Sequence, residues 1–191
     1  MKKSNGVLLL GDPRLRQKSE VIKDANDDSV QGAQVRLSQL LADFREEHGF
    51  GRAIAAPQIG APIRMITCNL GDGVFHLINP EITWRSKEKI TLWDDCMSFP
   101  ALLVRVGRHR SISMKFQDEN GDLIMWEKLP VDQSELFQHE IDHLDGILSV
   151  DRALDGESLV LKDIFDEHQE YLESQVTYLP RMAEKLPQPI E

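Results

Sequence analysis

The chain is short of cysteine, short of positive charge, and without any long apolar run. Each shortage excludes something. Two cysteines, Cys68 and Cys96, in 191 residues are too few for the disulfide framework of a secreted domain, so a reducing cytoplasm is the expected compartment. No stretch approaches the roughly 20 apolar residues that cross a bilayer. Lys2-Lys3 followed by the short run Val7-Leu8-Leu9-Leu10 falls short of a secretory signal. Lysine and arginine total 22 against 32 acidic residues, a net charge of −10. That balance argues against strong nucleic-acid binding, which rests on clustered cations. Neither an internal repeat nor a low-complexity tract is present, and no membrane contact is expected.

What is there is enough for one folded domain. Hydrophobic residues make up 41% and charged residues 28% of the chain, which supports a core and argues against disorder. A single domain is expected over residues 1–177, followed by a loose tail, 178–191, that holds Pro180, Pro187 and Pro189. Apolar spacing predicts a helix over residues 27–48, with Gly49 as its stop. Strand character follows from Ile63 to about Leu129. It includes 63–68, a run at 74–78 broken by Pro80, and an alternating segment from Ser111 to Phe116. Asp118-Glu119-Asn120-Gly121 is a turn signal, and 122–129 is the returning strand. A helix over 133–145 follows, with Asp132 and Glu135 as a capping box and Gly146 just past its end. A last helix is expected over about 156–175. Strands in the middle with helices at both ends give an α+β fold.

The chemistry concentrates in the 133–145 helix. His139-Glu140-Ile141-Asp142-His143 is an HExxH sequence. The i, i+4 spacing sets both imidazoles on one face, where they can share a metal ion. Glu140, turned about 100° around the cylinder, can reach a water on that metal as general base. The third ligand is open from the residues alone. Asp163 or Glu167 would complete a zincin-type metallopeptidase. Cys96, directly after two acids in Trp93-Asp94-Asp95-Cys96-Met97-Ser98, would complete a Cys-His-His set with a free fourth position. Cys68, inside an apolar strand, is expected to be a buried hydrophobe.

Three motifs then resemble one family. Gly51-Arg52-Ala53-Ile54-Ala55-Ala56-Pro57-Gln58 is similar to a G-x-G-x-A-A-x-Q pattern, and Asp94-Asp95-Cys96-Met97-Ser98 to E-G-C-L-S. Gln138-His139-Glu140-Ile141-Asp142-His143 agrees in full. In this order the chain resembles the peptide deformylases, metal hydrolases that remove the formyl group from nascent N-formylmethionyl peptides. The resemblance implies antiparallel sheets packed around a central metal-binding helix. It implies Cys96, His139 and His143 as ligands to one divalent metal, Fe2+ in the cell, with Zn2+, Ni2+ or Co2+ able to replace it. Glu140 is then the general base and acid, and Gln58 with the backbone N–H of Met97 forms the oxyanion hole. N-formylated nascent peptides are the implied partners, with transient ribosome contact. Substrate backbone would add as a strand along Gly51-Arg52-Ala53 and near Asp95.

The chain departs from the family at Ala53, Asp94, Asp95 and Met97, none of which removes a ligand. Asp95 puts a Cβ and a charge where the pattern has glycine. Asp142 is expected to support an imidazole or to be structural, and Arg108 to pair with an acid or remain solvated. The pocket implied for the methionine side chain falls on Arg52 and on residues 132–136, including Glu135 and Leu136. Two outcomes stay open for these charges. They pair or turn outward and leave an ordinary pocket, or they weaken the methionine preference in favour of a polar side chain. A non-catalytic peptide binder of the same fold is the third alternative.

Overall fold

The computed structural model describes residues 6–71 and 73–180. Two antiparallel sheets form the frame. The first has five strands in the order β1-β2-β3-β6-β7, and the second has three in the order β4-β5-β8. In chain order the strands are β1 (Ala53–Ala55), β2 (Met65–Asn69), β3 (Val74–Arg85), β4 (Lys89–Asp94), β5 (Leu102–His109), β6 (Ile112–Gln117), β7 (Leu123–Trp126) and β8 (Leu159–Leu161). Helix α1 (Asp28–His48) precedes them, α2 (Val131–Leu144) lies between β7 and β8, and α3 (Lys162–Glu167) and α4 (Gln169–Glu173) follow.

Helix α1 matches its apolar spacing, and Gly49 ends it in the left-handed region. It buries Val30, Leu37, Leu41 and Phe44 against β1 and β2 through Ile54, Met65 and Ile78. Helix α2 sits at the centre. Its Leu136, Phe137, Ile141 and Leu144 pack on the five-stranded sheet with Ile66, Cys68, Phe116 and Trp126. This places Cys68 in the core as a small hydrophobe, and burial pushes its thiol pKa up.

Four local expectations are corrected. Strand β3 continues through Pro80, because a register irregularity between Ile78 and Glu81 spares the ladder the missing N–H. Asn79 takes a positive φ there and is held by its side chain, which accepts from the Ile22 N–H and donates to the Ile22 carbonyl, each at 2.8 Å. The returning strand β7 stops at Trp126 rather than Leu129. Helix α2 has Pro130 at its N-cap and no side-chain cap; Glu135 is engaged elsewhere, so no capping box forms. The expected 156–175 helix is instead a strand and two short helices. Residues 159–161 pair with Leu102, Leu103 and Val104 of β5, and His168, at φ −119° and ψ 29°, separates α3 from α4.

The tail is not loose at its start. The N–H groups of Thr177 and Tyr178 both donate to the Thr91 carbonyl, at 3.1 and 3.0 Å, and Tyr178 packs against the core of the three-stranded sheet. Pro187 and Pro189 lie outside the described residues. Among the described residues, no helix is long and apolar enough to cross a membrane.

Candidate metal centre

One helix and one strand end supply the ligating atoms. His139 and His143, one turn apart on α2, bring their Nε2 atoms to 3.1 Å. Cys96, just past β4, places its Sγ 3.3 Å from His143 Nε2. The three ligand atoms lie within 4.8 Å of one another, and all three side chains are buried. Two imidazole lone pairs and a sulfur converging in a buried space are stabilised by a cation between them, and Cys-His-His is a donor set for one divalent ion. The residues fit a metal. Asp163 and Glu167 do not take part: both are exposed on α3, outside the ligand group.

Charge behind the ligands is arranged in a chain. His139 Nδ1 lies 3.0 Å from the Asp94 carboxylate, which turns its Nε2 toward the other ligands. Arg108, buried, donates to Asp94 at 2.9 Å and to the Asp142 carboxylate. Arg152 closes the far end on Asp142 at 2.8 Å. Burial alone would raise the Asp94 carboxyl, but His139 and Arg108 facing it hold it well below the usual carboxylate range. The imidazole support expected of Asp142 therefore comes from Asp94, and Arg108 is a buried pairing residue, not a solvated charge. Sequence reasoning missed the Asp94–His139 contact. A signal existed for Arg108: it continues the inward alternation of Val104 and Val106 on β5, both fully buried.

The residues expected to carry the reaction border this cluster. Glu140 is 3% exposed, and its Oε2 has no hydrogen-bond partner among the described residues. Burial pushes its carboxyl up to about 7, against the pull of His139. Gln58 is fully buried in a 3-10 turn, Ala56–Ile59. Its Oε1 accepts from the Ala55 N–H at 2.8 Å, which turns the amide nitrogen toward Ser98 Oγ at 3.2 Å and Cys96 Sγ at 3.8 Å. Met97 buries its side chain beside Phe44 and Ile54.

A cleft of about 370 Å³ opens onto the cluster. Gly51, Arg52, Ala53 and Gln58 line one side, Glu135, Leu136 and Glu140 another, and Trp93, Phe165, Leu179 and Pro180 a third. Apart from Trp93, which adjoins the second motif, the last group comes from segments that no motif marked. β1 is an edge strand, paired only with β2. Gly51 enters it at φ +108°, and a Cβ there would meet the Phe44 ring at 3.2 Å. Ala53 pairs with Cys68 without disturbing the ladder. Asp95 is exposed, and the described non-glycine residues with positive φ are Asn79 and Lys128, so the aspartate strains no backbone. Arg52 donates to the Glu135 carboxylate and, at 2.9 Å, to the Asp132 carbonyl.

Comparison with known proteins decides the family. A family model for polypeptide deformylase matches residues 5–158. The chain belongs to the polypeptide deformylase family. It is 36% identical to Peptide deformylase 2 of Clostridium perfringens, over 82% of this chain and 97% of that one. It is 31% identical to the peptide deformylase of Thermotoga sp. strain RQ2, over 82% and 91%. The crystal structure of peptide deformylase from Thermotoga maritima superposes with a TM-score of 0.70 at 31% identity, covering 78% of this chain and 97% of that chain. The α+β fold is that of this family. The chain is accordingly a single-metal amide hydrolase acting on N-formyl peptides.

Proposed function

We propose that Cys96, His139 and His143 hold the ion in this deformylase, that Glu140 moves the protons, and that Gln58 and the Met97 backbone N–H receive the oxyanion. The observation that carries this is the convergence of three ligand atoms within 4.8 Å beside a buried carboxylate oxygen with no partner among the described residues. The ion, when bound, supplies a Lewis acid and brings water's ionisation near neutral pH. Glu140 takes the proton of the attacking water and returns it to the departing amine, a transfer suited to a carboxyl that burial has raised. The Ala55 N–H holds the Gln58 amide with its nitrogen toward Cys96 and Ser98, so a donor already faces the cluster where charge develops on the formyl oxygen. Asp94, backed by Arg108, keeps the His139 ring in register. Substrate backbone adds along the free edge of β1 at Gly51, Arg52 and Ala53, with Asp95 opposite.

The family resemblance makes Fe2+ the ion in the cell, and a thiolate with two imidazoles accepts Zn2+, Ni2+ or Co2+ in its place. N-formylated nascent peptides in the cytoplasm are the substrates, met in transient contact with the ribosome. The test is formate release from a formyl-Met peptide by protein loaded with one equivalent of metal without air. Turnover is expected, and Cys96→Ala should lose both metal and activity. Loaded protein that releases no formate refutes the proposal.

A further inference from the structure

The wall of the cleft beside the ligands is polar where the substrate's first side chain must lie. Leu136 and Glu135 precede His139 by three and four residues, so they sit on its face of α2, one turn or about 5.4 Å away. A formyl group lying over the ligands would bring the peptide's first side chain toward this turn, which lines the same cleft. Arg52, next to the free edge of β1, crosses to this turn and pairs with Glu135. The pair does not escape outward. The two side chains are 13% and 3% exposed, and both line the cleft.

We propose that this pocket selects a side chain of methionine length that carries a neutral hydrogen-bond-accepting oxygen on its δ atom, with Arg52 as the specificity-determining donor; this rests on the deformylase reading above. Arginine carries five N–H donors. Among the described residues Arg52 makes two hydrogen bonds, to the Asp132 carbonyl and to Glu135, which leaves donors for a ligand. A thioether is a weak acceptor, and seating it there strips water from the guanidinium without replacing it. At this turn an anionic side chain meets Glu135 and the exposed Asp95 and a cationic one meets Arg52, while Lys162 and Glu173 line the cleft from the segment after β8. A neutral acceptor avoids both conflicts. Two substrates carry it: methionine oxidised at sulfur to the sulfoxide, and glutamine.

The experiment compares kcat/KM for formyl-Met, formyl-norleucine, formyl-methionine-sulfoxide and formyl-Gln tripeptides on the metal-loaded enzyme and on Arg52→Leu/Glu135→Leu. Removing both charges together leaves no orphan, so the double variant is expected to fold. The wild type should turn over the sulfoxide or the glutamine peptide at least as well as formyl-Met, and about tenfold better than norleucine. The double variant should reverse that order. Sulfoxide above both Met and Gln identifies oxidised initiator peptides; sulfoxide and Gln together identify any neutral acceptor. Formyl-Met exceeding both polar peptides by about tenfold, as an apolar pocket allows, overturns the proposal while leaving the deformylase reading intact. Absence of turnover on every peptide overturns both.

Discussion

Arg108→Met tests the charge chain behind the metal ligands. Arg108 is 4% exposed and faces two carboxylates, Asp94 and Asp142. Methionine fills similar volume and removes only the charge and its donors. Breaking a buried ion pair from one side costs about 3–5 kcal/mol, because the partner stays behind uncompensated. Here the two carboxylates are not equally orphaned. Asp142 keeps Arg152, whereas Asp94 keeps only the His139 ring among the partners described. The lower end, about 3 kcal/mol, is therefore expected, which lowers Tm by about 6–12 °C for a domain of this size. Thermal unfolding of the metal-free protein by circular dichroism reads it. Adding Asp94→Asn to Arg108→Met removes the stranded charge and should recover about 1 kcal/mol or more. A Tm within about 2 °C of wild type for Arg108→Met would refute the idea that this arginine neutralises a buried acid.

Three further outcomes are expected. Glu140→Gln should retain the metal, by elemental analysis, while turnover falls about 10²–10⁴-fold; activity within a few-fold of wild type removes Glu140 from the reaction. Gln58→Leu should lower kcat about 10²–10³-fold and, by stranding the Ala55 N–H that Oε1 now accepts from, cost about 1–3 kcal/mol in urea unfolding. Gly146→Ala should destabilise more than Gly49→Ala. Both glycines have φ near +75°, but a Cβ at Gly146 would lie 2.5 Å from the Arg16 carbonyl oxygen and one at Gly49 would meet nothing within 4 Å. Equal Tm losses would show that the close approach carries no weight.

What the sequence disclosed followed from periodicity and punctuation. The 3.6-residue spacing of Leu37, Leu40, Leu41 and Phe44 located α1, and the left-handed demand at Gly49 located its end. The same spacing put His139 and His143 on one face. Long-range pairing was not legible. Residues 159–161 looked helical because Leu161, Ile164 and Phe165 continue a helical period, yet their backbone is captured by the edge of β5. Pro80 looked like a strand end because the irregularity that tolerates it depends on Asn79 reaching back to Ile22. In each case a partner more than 50 residues away overrode a local preference.

The candidate site divides along the same line. Residue type and spacing put two histidines on one helix face beside Glu140 and left the third donor open among Cys96, Asp163 and Glu167. They were not enough for charges whose meaning depends on a partner. Asp94 read as a conservative exchange for Glu, and only the fold sets it against His139 with Arg108 behind it. Glu135 read both as a helix cap, three residues after Asp132, and as a charge in the implied pocket that either pairs or turns outward. The fold decides for pairing, with Arg52, 83 residues away in the chain. The ion pair joins Arg52, just before β1, to the turn of α2 that precedes His139, and both of its charges line the cleft.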